Sequence, residues 1–520
     1  MTPLRYCLCL IGACVMLSSC VGRAQESYGW RISPEKINIQ AGADRPLQAL
    51  DDDAQELRGA KWFVEDPTLA DIREEDSRAI LHAKAAGTVR VSAMIRGENR
   101  FREIKIWPAD QPLPLGTTTW GMHPIGREIG DISAVPTPDG PNSFSLEQTA
   151  TGRTYLRAVA DDGIQIWNWL LPEATRDVEL VCGDWLGGAL ISAKRSDSFT
   201  LYTVGNDGKL RWQRNVAGVR KGHAYSLEHL VHVLSQSADG ADTRITGLDA
   251  GTGELKFELS VPGSREQLVN VRRAGTKVLC SLESRTSALR TAVSRLFVNI
   301  DGFAYVAFSQ NEQTLKGAPC HSESALASRD VNVSYEERVV VWQIHHDGTY
   351  RSTVAEESKG SHPLAEPVSR FSPTGGIIPD GTGGVLLSIR RLDDVMGGDV
   401  HRLPKELIYR LDPDGTVVYR LSLPVSDGPL HDEMVLGENN LGFAARGGLL
   451  IAFDVQEGKE AWRWDSKTRD LEVYAALAGG SCLVQTPAAL LKVDNATSSK
   501  EVVKGRAMID WQGRLYVKHD

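Results

Sequence analysis

The chain has 520 residues, 42% of them hydrophobic, which is enough apolar material for a folded core and excludes wholesale disorder. Its 58 basic residues stand against 67 acidic ones, for a net charge of −9, and no basic block occurs, so nucleic acid is not an expected partner. Beyond the N-terminal segment no apolar run approaches the ~20 residues that span a bilayer, which excludes a polytopic membrane protein.

Residues 1–20 read MTPLRYCLCLIGACVMLSSC. Arg5 is the only charge, and the apolar stretch from Tyr6 to Leu17 has signal-peptide rather than transmembrane length. It ends Leu17-Ser18-Ser19-Cys20, which resembles the bacterial lipoprotein signal. The resemblance implies that residues 1–19 are a signal peptide and that Cys20 is the lipidated first residue of the mature chain. Residues 20–29 would then be a short tether to the membrane. Acyl chains supply ~0.8 kcal/mol per buried methylene, so two or more hold stably. By that family's sorting pattern Val21, in place of Asp, implies the outer membrane of a bacterial envelope, on its periplasmic or surface face. Ordinary secretory cleavage near Ala24 and an uncleaved anchor are the alternatives.

Cys182, Cys280, Cys320 and Cys482 remain after the signal and the lipidated Cys20, and none forms a Cys-x-x-Cys pair, so a zinc site is not indicated. Cys182, Cys280 and Cys482 sit in apolar, strand-like runs and read as buried thiols. One disulfide is the alternative in an oxidising compartment.

Residues 30–107 alternate polar and apolar side chains at Lys36–Ile39, Thr88–Ala93 and Glu103–Ile106, separated by turn signals such as Glu65-Asp66-Pro67 and Gly97-Glu98-Asn99. Period two reads as half-buried antiparallel strands, and short strands over this length predict a β-sandwich. Trp62, Asp66, Ala70 and Ile72, then Ala85, Gly87, Thr88, Val91 and Ala93, then Ile104 and Ile106, resemble the pattern of bacterial Ig-like domains of group 2. The resemblance implies spacer or adhesion modules, with Trp62 as the core aromatic and Gly87 in a positive-φ turn. The acidic trio Asp51–Asp53 reads as a solvated loop rather than a calcium site.

Pro108, Pro112 and Pro114 mark residues 108–116 as a stiff linker. From residue 117 to 520 a short apolar strand, an Asp/Asn-Gly turn and an apolar or aromatic strand recur. Their marker glycines are Gly163, Gly208, Gly253, Gly348, Gly415 and Gly458, spaced by 45, 45, 95, 67 and 43 residues. The gap of 95 fits two units or one unit with an insertion. A ~45-residue repeat of strands and hairpins predicts propeller blades, seven or eight in number, with the aromatic after each turn packed between neighbours. The hairpin Met508–Val517 is expected to join strands near Thr117–Trp120. The overall expectation is all-β: a small Ig-like β-sandwich followed by a seven- or eight-bladed β-propeller.

Leu248-Asp249-Ala-Gly-Thr252-Gly253, and Phe453-Asp454-Val-Gln-Glu-Gly458 with Trp462, resemble quinoprotein-like (PQQ-type) repeats. In anchor and fold the chain is similar in class to the propeller lipoprotein of the outer-membrane barrel assembly machinery, a non-enzymatic protein. Quinoprotein dehydrogenases carry adjacent cysteines over the quinone, and no Cys-Cys pair occurs here, so no cofactor is expected.

No motif selects a catalytic residue. Asp412-Pro-Asp-Gly415 begins like a calcium loop, but its twelfth position is Leu423, so it reads as a β-turn. His229 and His232 read as strand residues facing opposite sides, and with His223 they form no metal site. His345-His346 fail likewise. Gly381-Thr-Gly-Gly384 lacks a following helix and reads as a turn. Residues 311–337 and 355–378 break the repeat and read as surface loops suited to recognition. The expected function is a non-enzymatic binding or assembly scaffold, anchored through Cys20, with an envelope protein as partner. The alternative is a hydrolase or lyase acting on extracellular polysaccharide or peptide from the propeller channel.

Overall fold

The computed structural model describes residues 29–517, apart from residues 76–77, 115–116, 135–142, 173–176, 185, 221–224, 228, 238–241, 262–268, 275–276, 283–286, 294–295, 299–302, 320–331, 364–370, 374–375, 392–404, 424–429 and 510–514. The chain divides into two compact units. One is Met1–Arg127 with Asp161–Gln165, and the other is Glu128–Ala160 with Ile166–Asp520.

The first unit is a two-sheet sandwich. Its strands are β1 (Trp30–Ser33), β2 (Ile37–Gln40), β3 (Asp44–Asp51), β4 (Lys61–Val64), β5 (Ala70–Glu75), β6 (Arg78–Ala83), β7 (Gly87–Ile95) and β8 (Glu98–Trp107). One sheet has the order β1-β3-β6-β5 and the other β2-β8-β7-β4. Alternation sets the buried face: Val89, Val91, Ala93 and Ile95 of β7 point inward while Arg90 and Met94 point out. Trp62 is buried in the shared core with Trp30, Leu47, Leu81 and Ile104, as expected of it. Gly87 is a correction. It opens β7 without a positive φ. A Cβ there would lie 3.1 Å from Leu69 Cδ1, so glycine serves close packing rather than a turn.

A second correction concerns Thr117–Trp120. Trp120 bridges Ile37 antiparallel, the Asn38 amide donates to Thr119 O (3.0 Å), and the Glu35 amide donates to Gly121 O. This stretch therefore extends the edge at β2. The C-terminal strands Ala507–Ile509 and Leu515–Val517 pair with each other instead.

The second unit is a series of antiparallel sheets in chain order. The first sheet comprises Arg127–Ala134, Ser143–Gln148, Thr154–Val159 and Gln165–Leu170; the second comprises Val178–Gly183, Ala189–Lys194, Ser198–Val204 and Leu210–Ala217. The third is built on Val219–Arg220, Leu230–Gln236, Thr243–Asp249 and Leu255–Val261, and the fourth on Ala304–Pro319, Asn332–Ile344 and Tyr350–Pro363. The fifth is built on Phe371–Ser372, Val385–Arg391, Lys405–Leu411 and Val417–Leu423. The sixth runs from Leu430–Leu436 to Lys459–Asp465, and the seventh from Glu472–Leu477 to Ser498–Lys504.

Each sheet from the second to the sixth buries both faces, one against each neighbour. Ile191 of the second sheet packs with Phe144 and Leu156 of the first, while Leu190 beside it packs with Val231 and Leu248 of the third. The pattern continues through Phe257 against Val306, Val341 against Leu387, Ile408 against Ile451, and Phe443 against Val484. Middle strands are consequently buried along their length, as in Leu230–Gln236, whereas outer strands such as Leu255–Val261 alternate. Among the described residues, seven sheets stacked face to face in sequence are the blades of a β-propeller, at the lower of the two expected counts, with the two-stranded C-terminal hairpin after them.

All six marker glycines adopt positive φ, from 66° at Gly458 to 88° at Gly415. Only glycine does this without steric cost. At Gly208, Gly253, Gly348 and Gly458 an aromatic ring of the preceding sheet lies against the glycine, whereas Gly415 faces Thr353: a Cβ at Gly208 would lie 2.9 Å from Trp167 Cγ, and one at Gly253 2.7 Å from Trp212 Cδ2.

The gap of 95 residues proves to be one sheet with an insertion. Among the described residues, the expected loops at 311–337 and 355–378 are largely strand, at 311–319, 332–337 and 355–363, which is a further correction. The strands Ala304–Pro319, Asn332–Ile344 and Tyr350–Pro363 run 16, 13 and 14 residues, and the last two pair from Ile344↔Tyr350 to Asn332↔Pro363 with one bulge at Val339/Val340. Lys277–Leu282 adds to this ribbon at Leu315–Pro319.

Candidate functional site

Cys20, residues 1–19 before it, His223 and Cys320 lie outside the described residues. The structure separates the other expected candidates. His229 lies in a turn at φ 69° and is exposed, not on a strand as expected. His232 lies in the strand Leu230–Gln236 with 0% exposure, and neither ring nitrogen has a hydrogen-bond partner. Burial alone pushes its pKa down to about 4, so the ring is neutral. His345 packs edge-on against Phe303, with ring centroids 4.5 Å apart. Cys482 is a buried thiol, and burial pushes its pKa up. Among the described residues no group of three His, Cys, Asp or Glu side chains converges as metal ligands.

Asp412-Pro-Asp-Gly415 is a β-turn: the Gly415 amide donates to Asp412 O (2.9 Å), and the Thr416 amide donates to both carboxylates. Gly381–Gly384 is also a turn, closed by a carboxylate that the sequence reading overlooked. Asp380 Oδ1 accepts the amides of Thr382 (2.8 Å) and Gly384 (2.9 Å), and Oδ2 accepts Arg410 Nε (2.8 Å). Burial pushes this carboxyl up, but the hydrogen bonds from Thr382, Arg410 and Gly384 outweigh it and hold it below the usual range. Arg410 continues to Gln456 Oε1 of the sixth sheet (2.9 Å). The second sheet repeats the device: Asp184 accepts the amides of Leu186 and Gly188, and Arg211 Nη1 donates to Asp184 Oδ2 (2.8 Å). Asp-Trp-Leu-Gly-Gly188 and Asp-Gly-Thr-Gly-Gly384 were the legible signal for both.

The feature that sets one region apart is the ribbon of the fourth sheet. Two carboxylates hold its base. Glu337, with 0% exposure, accepts Ser309 Oγ (3.0 Å) and the amide of Phe371 (3.2 Å). Glu356 accepts Tyr409 Oη (2.7 Å) and Arg420 Nε (2.9 Å) from the fifth sheet. Burial and the Glu356 carboxylate together push the Tyr409 hydroxyl well above the usual tyrosine range. Farther out, Arg338 bonds Glu336 and Glu357, and Lys359 lies 3.5 Å from Glu336 and 3.4 Å from Glu357. Arg338, Glu357 and Lys359 are exposed and Glu336 is half-buried, and their charges alternate in sign across the strands. Such a ladder is worth little to stability. It does offer a patterned charged surface on a backbone fixed by strand pairing. Ion pairs on buried carboxylates lie elsewhere in the blades, with Arg157 on Glu147 in the first sheet, and Arg390 and Arg446 on Glu406.

No family model matches the sequence, and no curated protein matches it. The solved structures that it resembles include a β-propeller domain. Prolyl oligopeptidase B from Galerina marginata aligns at 10% identity and a TM-score of 0.39 over 72% of this chain and 52% of its own. The chain thus spans about half the length of that enzyme. Rhamnogalacturonan lyase YesW aligns at 13% identity and a TM-score of 0.29, over 91% and 76% of the two chains. The β-propeller domain of the Trilobed protease from Pyrococcus furiosus aligns at 8% identity and a TM-score of 0.29, over 69% and 91%. None reaches a TM-score of 0.5, and none bears on activity.

Proposed function

We propose that this chain is a lipid-anchored protein of the bacterial envelope whose β-propeller is a non-enzymatic scaffold for an envelope protein partner. The lipid is carried by Cys20 in the Leu17-Ser18-Ser19-Cys20 sequence, the sandwich is an Ig-like domain, and the blades are of the PQQ-like kind. The observation that carries the scaffold reading is the ribbon. Three long paired strands, pinned at the base by Glu337 and Glu356, hold the Arg338, Lys359, Glu336 and Glu357 ladder at fixed spacing. A preorganised charged surface favours protein association because few side chains lose freedom on binding.

The test is crosslinking and mass spectrometry on native envelopes, with wild type beside Cys20→Ala and the double variant Arg338→Glu/Lys359→Glu. The expected result is a reproducible partner linked near the ribbon. Charge reversal should weaken the link at least tenfold, and Cys20→Ala should release the protein from the membrane fraction. Membrane attachment unchanged in Cys20→Ala would refute the anchor. Partners unchanged by charge reversal would refute the ribbon as their surface.

A further inference from the structure

The last strand of the ribbon, Tyr350–Pro363, closes its sheet. Asn332–Ile344 pairs with it on one side, and among the described residues no strand pairs with the other. From Glu356 to Ser361 its residues are polar, charged or glycine, so this stretch presents backbone amides and carbonyls along a wet edge. Such an edge is a template for another strand. Lysine on an edge ordinarily deters that pairing. Here Lys359 has Glu357 two residues before it on the same face, 3.4 Å away.

Sequence and register make this edge complementary to itself. Within the ribbon Arg338 stands opposite Glu357, and Glu336 stands opposite Lys359. Consider a second copy laid antiparallel on the edge, with a two-fold axis at Ser358. Glu357 of each copy then falls opposite Lys359 of the other, with Cβ atoms about 5 Å apart. One row across the four strands reads Arg338, Glu357, then Lys359 and Glu336 of the second copy. The two-fold axis generates an identical second row, and the sign of charge alternates at every step of both. Moving the axis to Glu357 or to Lys359 would instead oppose two carboxylates or two ammonium groups. Gly360 falls opposite Glu356 of the second copy. Having no side chain, it leaves the bonds of Glu356 to Tyr409 and Arg420 undisturbed.

We infer that the chain forms a two-fold symmetric dimer through this edge, in which two ribbons join into one antiparallel sheet about Ser358. Backbone hydrogen bonds supply the attraction, and the two charge rows select the register. Little order has to be gained on association, because pairing with Asn332–Ile344 already holds the edge extended. The dimer requires neither the lipid nor an envelope partner. It uses the edge of the ribbon, whereas the scaffold reading uses the charged face, which stays exposed in the dimer.

The test is sedimentation equilibrium of the purified full chain carrying Cys20→Ser, so that neither lipid nor another protein is present. The expected result is the mass of two chains, with Kd on the order of 10 μM. Glu357→Lys and Lys359→Glu each set like charges opposite one another in both rows and should weaken the dimer at least tenfold. Mixed in equal amounts, the two variants regain opposite charges in both rows and should associate within threefold of the parent affinity. A monomer at ~200 μM overturns the inference and leaves the edge to a strand of another protein. A dimer that neither substitution weakens overturns it, as does failure of the two variants to associate on mixing. Should either variant not fold, Ser358→Cys takes its place: a short bis-thiol crosslinker should join two chains at the axis, in a product the parent does not give, and its absence overturns the inference. Because the protein is pure, a negative result here leaves the crosslinks to an envelope partner to be judged on their own.

Discussion

The sandwich and the blades solve the same problem differently. The sandwich gathers the inner faces of two sheets into one cluster that includes Trp30, Leu47, Trp62, Leu81 and Ile104. The blades distribute their apolar residues over successive thin layers, each shared by two sheets, so that Leu190 and Ile191 serve different layers though adjacent in the chain. The lesson concerns cooperativity. Damage to the sandwich core reaches every strand of that unit, whereas damage to one layer of the blades falls on two sheets and is diluted along the series.

The largest expected effect breaks the sandwich alone. Trp62→Ala removes a large side chain from a single core and should cost ~3–5 kcal/mol, enough to unfold a small domain. Differential scanning calorimetry should show one transition lost while the melting of the blades stays within a degree or two. Simultaneous loss of both transitions would mean that the two units fold as one.

Next comes His232, between the third and fourth sheets. Its folded pKa of about 4 lies below the ordinary 6.5, so the unfolded chain binds the proton first. Stability is therefore complete above pH 6.5, falls as the pH drops toward 4, and loses ~3 kcal/mol from this group by then. In urea titrations between pH 7 and 4, His232→Phe should remove that part of the pH dependence. An unchanged slope would place the acid sensitivity elsewhere.

Gly208→Ala probes a single layer. It puts a Cβ at φ 72° and against Trp167, and should cost ~2 kcal/mol in denaturant melts. The smallest effect is on the ribbon. Arg338→Ala removes exposed pairs with Glu336 and Glu357 and should change stability by less than ~1 kcal/mol, which keeps the variant usable in binding experiments.

The blades were legible because they repeat. A glycine forced to positive φ and an aromatic a few residues later leave a mark every ~45 residues, and Trp167, Trp212 and Phe257 pack as that mark implies. Trp62 was legible from its spacing to Asp66, Ala70 and Ile72, although Trp62-Phe63-Val64 is an unbroken apolar run. The ribbon was not. Where a strand is wet on both faces, as at Glu356–Ser361, no apolar period survives and the sequence reads as loop. The pairing of Trp120 with Ile37 was hidden for another reason, since an edge contact rests on backbone groups that every residue carries. His229 misled because a turn at positive φ interrupts what looks like a continuous strand.

The buried thiol of Cys482 also has a kinetic use. It lies in the layer shared by the sixth and seventh sheets, so a thiol reagent reaches it only when that layer parts. When reclosing outruns labelling, the labelling rate reports the population of the parted state, and its dependence on denaturant reports how much surface that opening exposes. One native sulfur thus serves as a clock for the breathing of two neighbouring blades, with no probe added to the chain.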